Sequence, residues 1–276
     1  MGPLRTLRVL TLNLWGHEGD VARRMAAARA AIQRLAVDVL ALQEVRSPAP
    51  SAQAIDQAAY FAEVLGGTVH FVAVDPTSTD GPIGNAIISR LPARTLGSVH
   101  LPSPPGDPRA ALAVEITTSV GTLALITTHL SWELDAAPIR ERQVVAVDRF
   151  ARIHRRDLPS ILTGDFNASP DSDAIRFLTG RTALEGCGAY WRDTFSRIHP
   201  HDDGYTWSAR NPLVVRHVER NRRIDFIFVA PMGRDGRGAV LDARVALDQP
   251  GESGVYPSDH FAVFAEIALE PIDELL

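Results

Sequence analysis

Apolar residues recur along this chain in two rhythms. Alternating or continuous runs rich in Val, Ile, Leu and Thr predict strands at about 7–14, 38–43, 68–74, 84–89, 110–117, 121–129, 159–164, 224–229 and 260–268. Helical spacing of Val21, Met25, Ala28, Ile32 and Leu35 predicts a helix over 20–35, and 51–65 and 139–153 read the same way. Segments 97–108, 200–221 and 231–258, rich in Gly, Pro, Arg or Asp, predict loops. None of them reads as a domain linker, and no repeat of fixed period is present. The pattern therefore predicts an α/β chain in one domain, residues 1–276, with adjacent antiparallel strands covered by helices.

Polar residues interrupt these apolar runs at particular places. In 158–170, LPSILTGDFNASP, a short strand breaks at Gly164 and presents Asp165 and Asn167, after which Ser169 is placed to cap a helix that starts at Pro170. Taken alone, GDFN is an ordinary turn sequence. Asn13 in VLTLNLW, Glu44 in VLALQEV and His129 in LALITTHLSW also stand at strand ends, whereas Asp225 in RRIDFIFV and Asp259 and His260 in YPSDHFAVF stand at strand starts. Singly, each has an ordinary reading: Asn13 capping a turn, Glu44 solvated, His129 satisfied in a core, Asp225 paired with Arg222 or Arg223. Together they share one polarity, because in an antiparallel sheet strands running one way end at the rim where their neighbours begin.

The residue types form a coherent chemical set. Oxygen ligands from Asn13, Glu44 and Asp259 suit a hard cation such as Mg²⁺ or Mn²⁺. Asp165 can take a proton from water, Asn167 can orient that water or a phosphoryl oxygen, and His129 and His260 can donate to a phosphate. That is equipment for metal-assisted transfer of a phosphoryl group to water.

Composition narrows the classes. A hydrophobic fraction of 45% over 276 residues supports a sizeable core. No apolar run reaches the ~18 residues of a membrane span, and the first strand follows the N-terminus without a signal-peptide pattern, so a cytoplasmic protein without membrane contact, monomeric by default, is expected. The single cysteine, Cys187, excludes an internal disulfide and a cysteine-built metal site. Every basic residue is arginine, which excludes Schiff-base lysines and the lysine of a Walker-type loop. At a net charge of −5, contact with nucleic acid would have to come from local arginines, for which Arg46, Arg109 and Arg223 are the candidates, with Arg222 beside the last.

The ordered set TLNLW, LQEV, GNAIISR, TTHL, GDFNASP, RRIDFIFV and PSDHFAVF, spanning Val9 to Ile267, resembles the endonuclease/exonuclease/phosphatase superfamily. The resemblance implies a four-layer αββα sandwich of two mostly antiparallel or mixed sheets flanked by helices. It implies Glu44 as principal ligand of Mg²⁺ or Mn²⁺ with Asn13 and Asp259 alongside, Asp165 and Asn167 on the attacking water, His260 oriented by Asp225 on the scissile phosphate, and His129 on the developing charge. The substrate class it implies first is a nucleic-acid phosphodiester. A small phosphorylated metabolite or lipid headgroup comes second, and a non-catalytic scaffold third, although none of the expected rim carboxylates is missing. Two departures stand out. The tyrosine that apurinic endonucleases carry before GNAIISR is replaced by DGPIG with Pro82, and the glutamate that pancreatic-type deoxyribonucleases carry near this strand is absent between Asp80 and Arg90. Calcineurin-like phosphatases need an early DxH and a GNH motif, and neither is present.

Overall fold

The structure is a computed structural model that describes residues 5–47, 55–75, 81–214 and 220–271. Two six-stranded sheets carry the chain. In the first the strand order is β11 (Val240–Ala246), β12 (Ala262–Ala268), β1 (Thr6–Asn13), β2 (Val39–Arg46), β4 (Ile83–Ser89), β3 (Thr68–Asp75). In the second it is β5 (Ala93–His100), β6 (Ala110–Thr118), β7 (Gly121–His129), β8 (Ile161–Asp165), β10 (Asp225–Val229), β9 (Arg192–Asp193). Each sheet contains a parallel pair, β1 with β2 and β7 with β8, and the remaining pairings are antiparallel.

Three apolar clusters define the layers. Val9, Val39 and Val263 of the first sheet meet Val114, Leu125 and Ile227 of the second in a buried apolar seam between the sheets. Met25, Ile32 and Phe61, from α1 (Val21–Leu35) and α2 (Gln57–Leu65), cover the outer face of the first sheet. Val144 and Phe177, from α3 (Ala137–Ile153) and α4 (Asp173–Leu178), cover the outer face of the second. The layering is helix, sheet, sheet, helix, as the resemblance implied. Strands buried on both faces read as continuous apolar runs, which is why the pattern located most of them.

The connection from β1 to β2 runs through α1 and that from β7 to β8 through α3. Asn13, His129 and Asp165 therefore sit at carboxyl ends of parallel strands, and Glu44 sits near the end of β2. Asp225 starts β10 directly opposite Asp165. This is the rim at which open α/β sheets place their ligands.

Four local expectations are corrected. β5 lies partly inside the expected loop 97–108 and β11 inside 231–258; both are edge strands whose alternating polar residues face solvent, so neither makes an apolar run. Ser169 is not a helix cap: α4 is capped by Ser172, whose side chain accepts from Ile175 N–H, and Pro170 lies outside the helix. Glu44 does not end β2, which continues to Arg46 through a register shift between Leu42 and Val45. The expected helix over 51–65 is seen over Gln57–Leu65, and residues 51–54 lie outside the described residues.

Gly164 joins two strands to the site. Its φ is +143°, and a Cβ there would stand 2.0 Å from the carbonyl oxygen of Thr128. Replacing Gly164 by Ala forces β8 away from β7 next to Asp165, and a cost of at least about 2 kcal/mol is expected for such overpacking. A melting temperature within 1 °C of wild type, measured by thermal unfolding, would contradict it.

Candidate active site

The rim residues converge on a cleft of about 400 Å³ lined by Asn13, Glu44, His129, Asp165, Asn167, Asp259 and His260. Asp165 lies at its centre and is almost fully buried. Its Oδ1 accepts from the backbone N–H of Asn167 at 2.9 Å, and its Oδ2 accepts from Asn13 Nδ2 at 3.0 Å. Two imidazoles face Oδ2, His129 Nε2 at 3.4 Å and His260 Nε2 at 3.7 Å. Asn167 holds a left-handed φ of +48°, and its amide donates to Leu130 O and contacts His129 Nε2, both at 3.1 Å. Asn, unlike a β-branched residue, tolerates that backbone.

Asp225 is completely buried and accepts from His260 Nδ1 at 2.9 Å. Burial alone works to lower the pKa of His260, but Asp225, Asp165 and Asp259 outweigh it and hold the imidazole well above its ordinary value, which favours its charged form. His129 goes the other way: burial first, then Arg109 and His260, push it well below its ordinary value and leave it neutral. Burial and the nearby Asp225 raise Asp165 to about 7, against the opposing pull of His260. The two histidines of one cleft are thereby shifted in opposite directions.

The second group is Glu44, Asp259 and Asn13. Glu44 sits in the β2 bulge with φ +52°, which turns it toward the cleft. Burial lifts Asp259 to about 6, offset by His260 and reinforced by Glu44, so these two carboxylates act on each other. Two carboxylates lining one cleft are a donor set that fits a hard divalent ion. Asn13 presents its amide hydrogens to this group, donating to Glu44 Oε1 at 3.1 Å, while its Oδ1 accepts from Trp15 N–H at 2.9 Å. Ligation by Asn13 would require that amide to turn over. Asp165, Asp225 and His260 also offer ligand atoms within 4.8 Å of one another. There His260 Nδ1 is engaged with Asp225, so a metal held by this cluster would be ligated through Nε2 and the two carboxylates.

The expected arginines separate. Arg223 is corrected: it is buried, paired with Asp193 at 2.7 Å and laid over the rings of Phe195 and Phe226, so it holds β9 and α5 (Thr194–Ile198) rather than meeting a substrate. Arg46 lies beside Gly16 and is not among the residues lining the cleft. Arg222 does line it. Arg109, paired with Asp107, lines a neighbouring cleft of about 300 Å³ that shares Glu44, His129 and Trp132 with the first.

Several residues of the site went unread in the sequence. Trp15, Trp132 and Trp207 line the cleft, and Trp207 meets His260 edge to face at 4.9 Å. Arg24, fully buried, donates to Leu14 O, Gly16 O, Glu18 O and Pro257 O at 2.7–3.1 Å and lies over the Trp15 ring. It ties the loop after Asn13 to the segment before Asp259. Its signal was available, since an arginine on the apolar stripe of a helix has to be spent on buried acceptors.

A chain with this sandwich and this rim belongs to the endonuclease/exonuclease/phosphatase family, whose model matches residues 10–260. Among curated relatives it is 26% identical over 187 residues to Nocturnin of Drosophila melanogaster, covering 59% of this chain but only 28% of that protein. Among solved structures, TDP2 of D. rerio complexed with a single-strand DNA product superposes with a TM-score of 0.75 at 20% identity, covering 95% and 98% of the two chains. The human Nocturnin catalytic domain with bound sulfate gives 0.67 at 19%, covering 96% of each. An endonuclease/exonuclease/phosphatase of Beutenbergia cavernae gives 0.69 at 24%, covering 97% and 72%.

The buried charges set a sign for stability against pH. Asp165, lifted to about 7, costs nothing below about pH 4, where it is protonated folded and unfolded, and costs progressively more as pH rises toward 7. The raised pKa of His260 favours folding at low pH, and that benefit is lost as pH climbs through it. In chelator, the melting temperature is expected to fall from pH 5 to pH 8, and Asp165→Asn to reduce the fall. Equal falls in the two proteins would refute the assignment.

Proposed function

We propose that this chain hydrolyses a phosphodiester of nucleic acid by in-line attack of a water, with Mg²⁺ or Mn²⁺ as cofactor. The observation that carries the reading is Asp165, a carboxylate lifted toward neutrality, lying 3.7 Å from an imidazolium anchored by Asp225. A general base works best with a pKa near the operating pH. Asp165 takes the proton of the attacking water, and the backbone N–H of Asn167 and the amide of Asn13 fix its two oxygens. His260, kept charged by Asp225, donates to a non-bridging oxygen as negative charge grows on the phosphate. Neutral His129 and the Asn167 amide complete the polar wall on the other side.

Glu44 and Asp259 would hold the cation, with Asn13 ordering Glu44; when bound, it supplies Lewis-acid stabilisation of the phosphate and leaving oxygen. The same reading takes residues 1–276 as one working unit, supported by the first and last long strands lying side by side in one sheet. Nucleic acid is favoured over a small metabolite or lipid headgroup by the second cleft with Arg109 and by the single-strand DNA product held by the D. rerio relative. Arg109, paired with Asp107, and Arg222 are the arginines that line the two clefts, where flanking phosphates would lie.

Two outcomes are expected. Chelation abolishes hydrolysis, Mg²⁺ or Mn²⁺ restores it, and Glu44→Gln stays inactive while keeping its melting temperature; full turnover in excess chelator would sink the proposal. Asp165→Asn lowers kcat by roughly 10²–10⁴-fold with little change in KM, and a loss confined to KM would mean that Asp165 only binds.

A further inference from the structure

The catalytic cleft and its neighbour meet at three residues, Glu44, His129 and Trp132. Glu44 and His129 belong to the floor, whereas Trp132 is 57% exposed. The other two tryptophans of the cleft have ring partners: Arg24 lies over Trp15 at 5.1 Å, and His260 packs against Trp207. Trp132 has no ring–ring or cation–ring contact among the described residues.

Its backbone, by contrast, is pinned. Arg140, from the first turn of α3, donates from Nη1 to the carbonyls on either side, Ser131 O at 2.9 Å and Glu133 O at 2.7 Å. Gln143 accepts from Ser131 N–H at 3.0 Å and donates to Ser131 Oγ at 2.9 Å. Arg140 and Gln143 are themselves buried. An indole left in solvent on a backbone held this firmly is a preorganised contact surface rather than a loose side chain.

Beyond Trp132 the second cleft contains Arg109, nine-tenths buried and paired with Asp107, with Asp75 also in its wall. The order along the surface is thus a phosphate site, an open aromatic face and a buried guanidinium. A ligand that matches it carries a planar ring between two anions. A lipid headgroup or sugar phosphate has no flat aromatic ring to lay against the indole. A base within a duplex has its faces covered, and exposing one costs a few kcal/mol.

Resting on the hydrolase reading above, we infer that Trp132 stacks a base of an unpaired nucleotide, and that a single strand crosses it from the catalytic cleft into the cleft of Arg109. The protein is then selective for single-stranded over duplex substrate, and Trp132 sets that selectivity.

The test compares wild type, Trp132→Ala and Trp132→Phe on an oligothymidylate, on the same strand annealed to its complement, and on methyl p-nitrophenyl phosphate, with Mg²⁺ or Mn²⁺. Trp132→Ala is expected to lose roughly 5- to 150-fold in kcat/KM on the single strand, chiefly through KM, and several-fold less on the small diester. Trp132→Phe is expected to recover most of the loss, and wild type to prefer the single strand to the duplex. A binding arm needs no turnover: in chelator, oligothymidylate quenches the tryptophan fluorescence of wild type more than that of Trp132→Ala. Equal quenching, equal losses on the strand and the small diester, or equal rates on strand and duplex would each overturn the inference. If wild type hydrolyses none of the three substrates, the hydrolase reading itself has failed. If it cleaves them and Trp132→Ala tracks it, the hydrolase reading stands and only the stacking is refuted.

Discussion

A single buried imidazolium holds this rim together. Asp165 and Asp225 lie directly opposite each other on paired strands, both shut away from water, and two like charges so placed cannot both ionise without a cation between them. His260 supplies it, with Nδ1 on Asp225 and Nε2 toward Asp165. The unequal distances decide the division of labour. Asp225 is spent on the histidine, whereas Asp165 is only partly compensated and keeps a pKa near neutrality. One arrangement therefore makes the burial tolerable and leaves a base and a charge donor in the same cleft.

The fold brings these groups together by using the same device twice. Each sheet contains one parallel pair joined across a helix, and the two sheets pack face to face, so strand ends from both arrive at one edge. Backbone features then aim the side chains: a bulge at Glu44, a left-handed Asn167, and a glycine at 164 where a side chain would collide with Thr128. Arg24 serves the first sheet as His260 serves the second, with one buried cation holding carbonyls of two loops that carry Asn13 and Asp259. The site is accordingly costly in buried charge and depends on contacts well away from the cleft.

Much of this was legible in the sequence, and the limits have physical causes. The central strands announce themselves because both faces are buried, and the polar residues that interrupt them stand out for the same reason; Asn13, Glu44, His129, Asp165, Asn167, Asp225, Asp259 and His260 do lie around one rim. β5 and β11 were lost because an edge strand alternates polar residues toward solvent. Arg223 was misread because a side chain's direction depends on its partner in space, here Asp193, thirty positions earlier. The tryptophans gave no pattern at all: an aromatic residue in the core and one in a cleft look alike until the backbone around them is seen, as the Arg140 clamp shows for Trp132.

The stereochemical course at phosphorus tests the role of Asp165 most directly. A phosphorothioate diester of known configuration, hydrolysed in ¹⁸O-labelled water, reports whether the nucleophile is water or a side chain. Inversion, with one solvent oxygen in the product, is expected of a single in-line displacement by a water that Asp165 deprotonates. Retention would mean two displacements through a covalent intermediate, and would contradict a general base at that position.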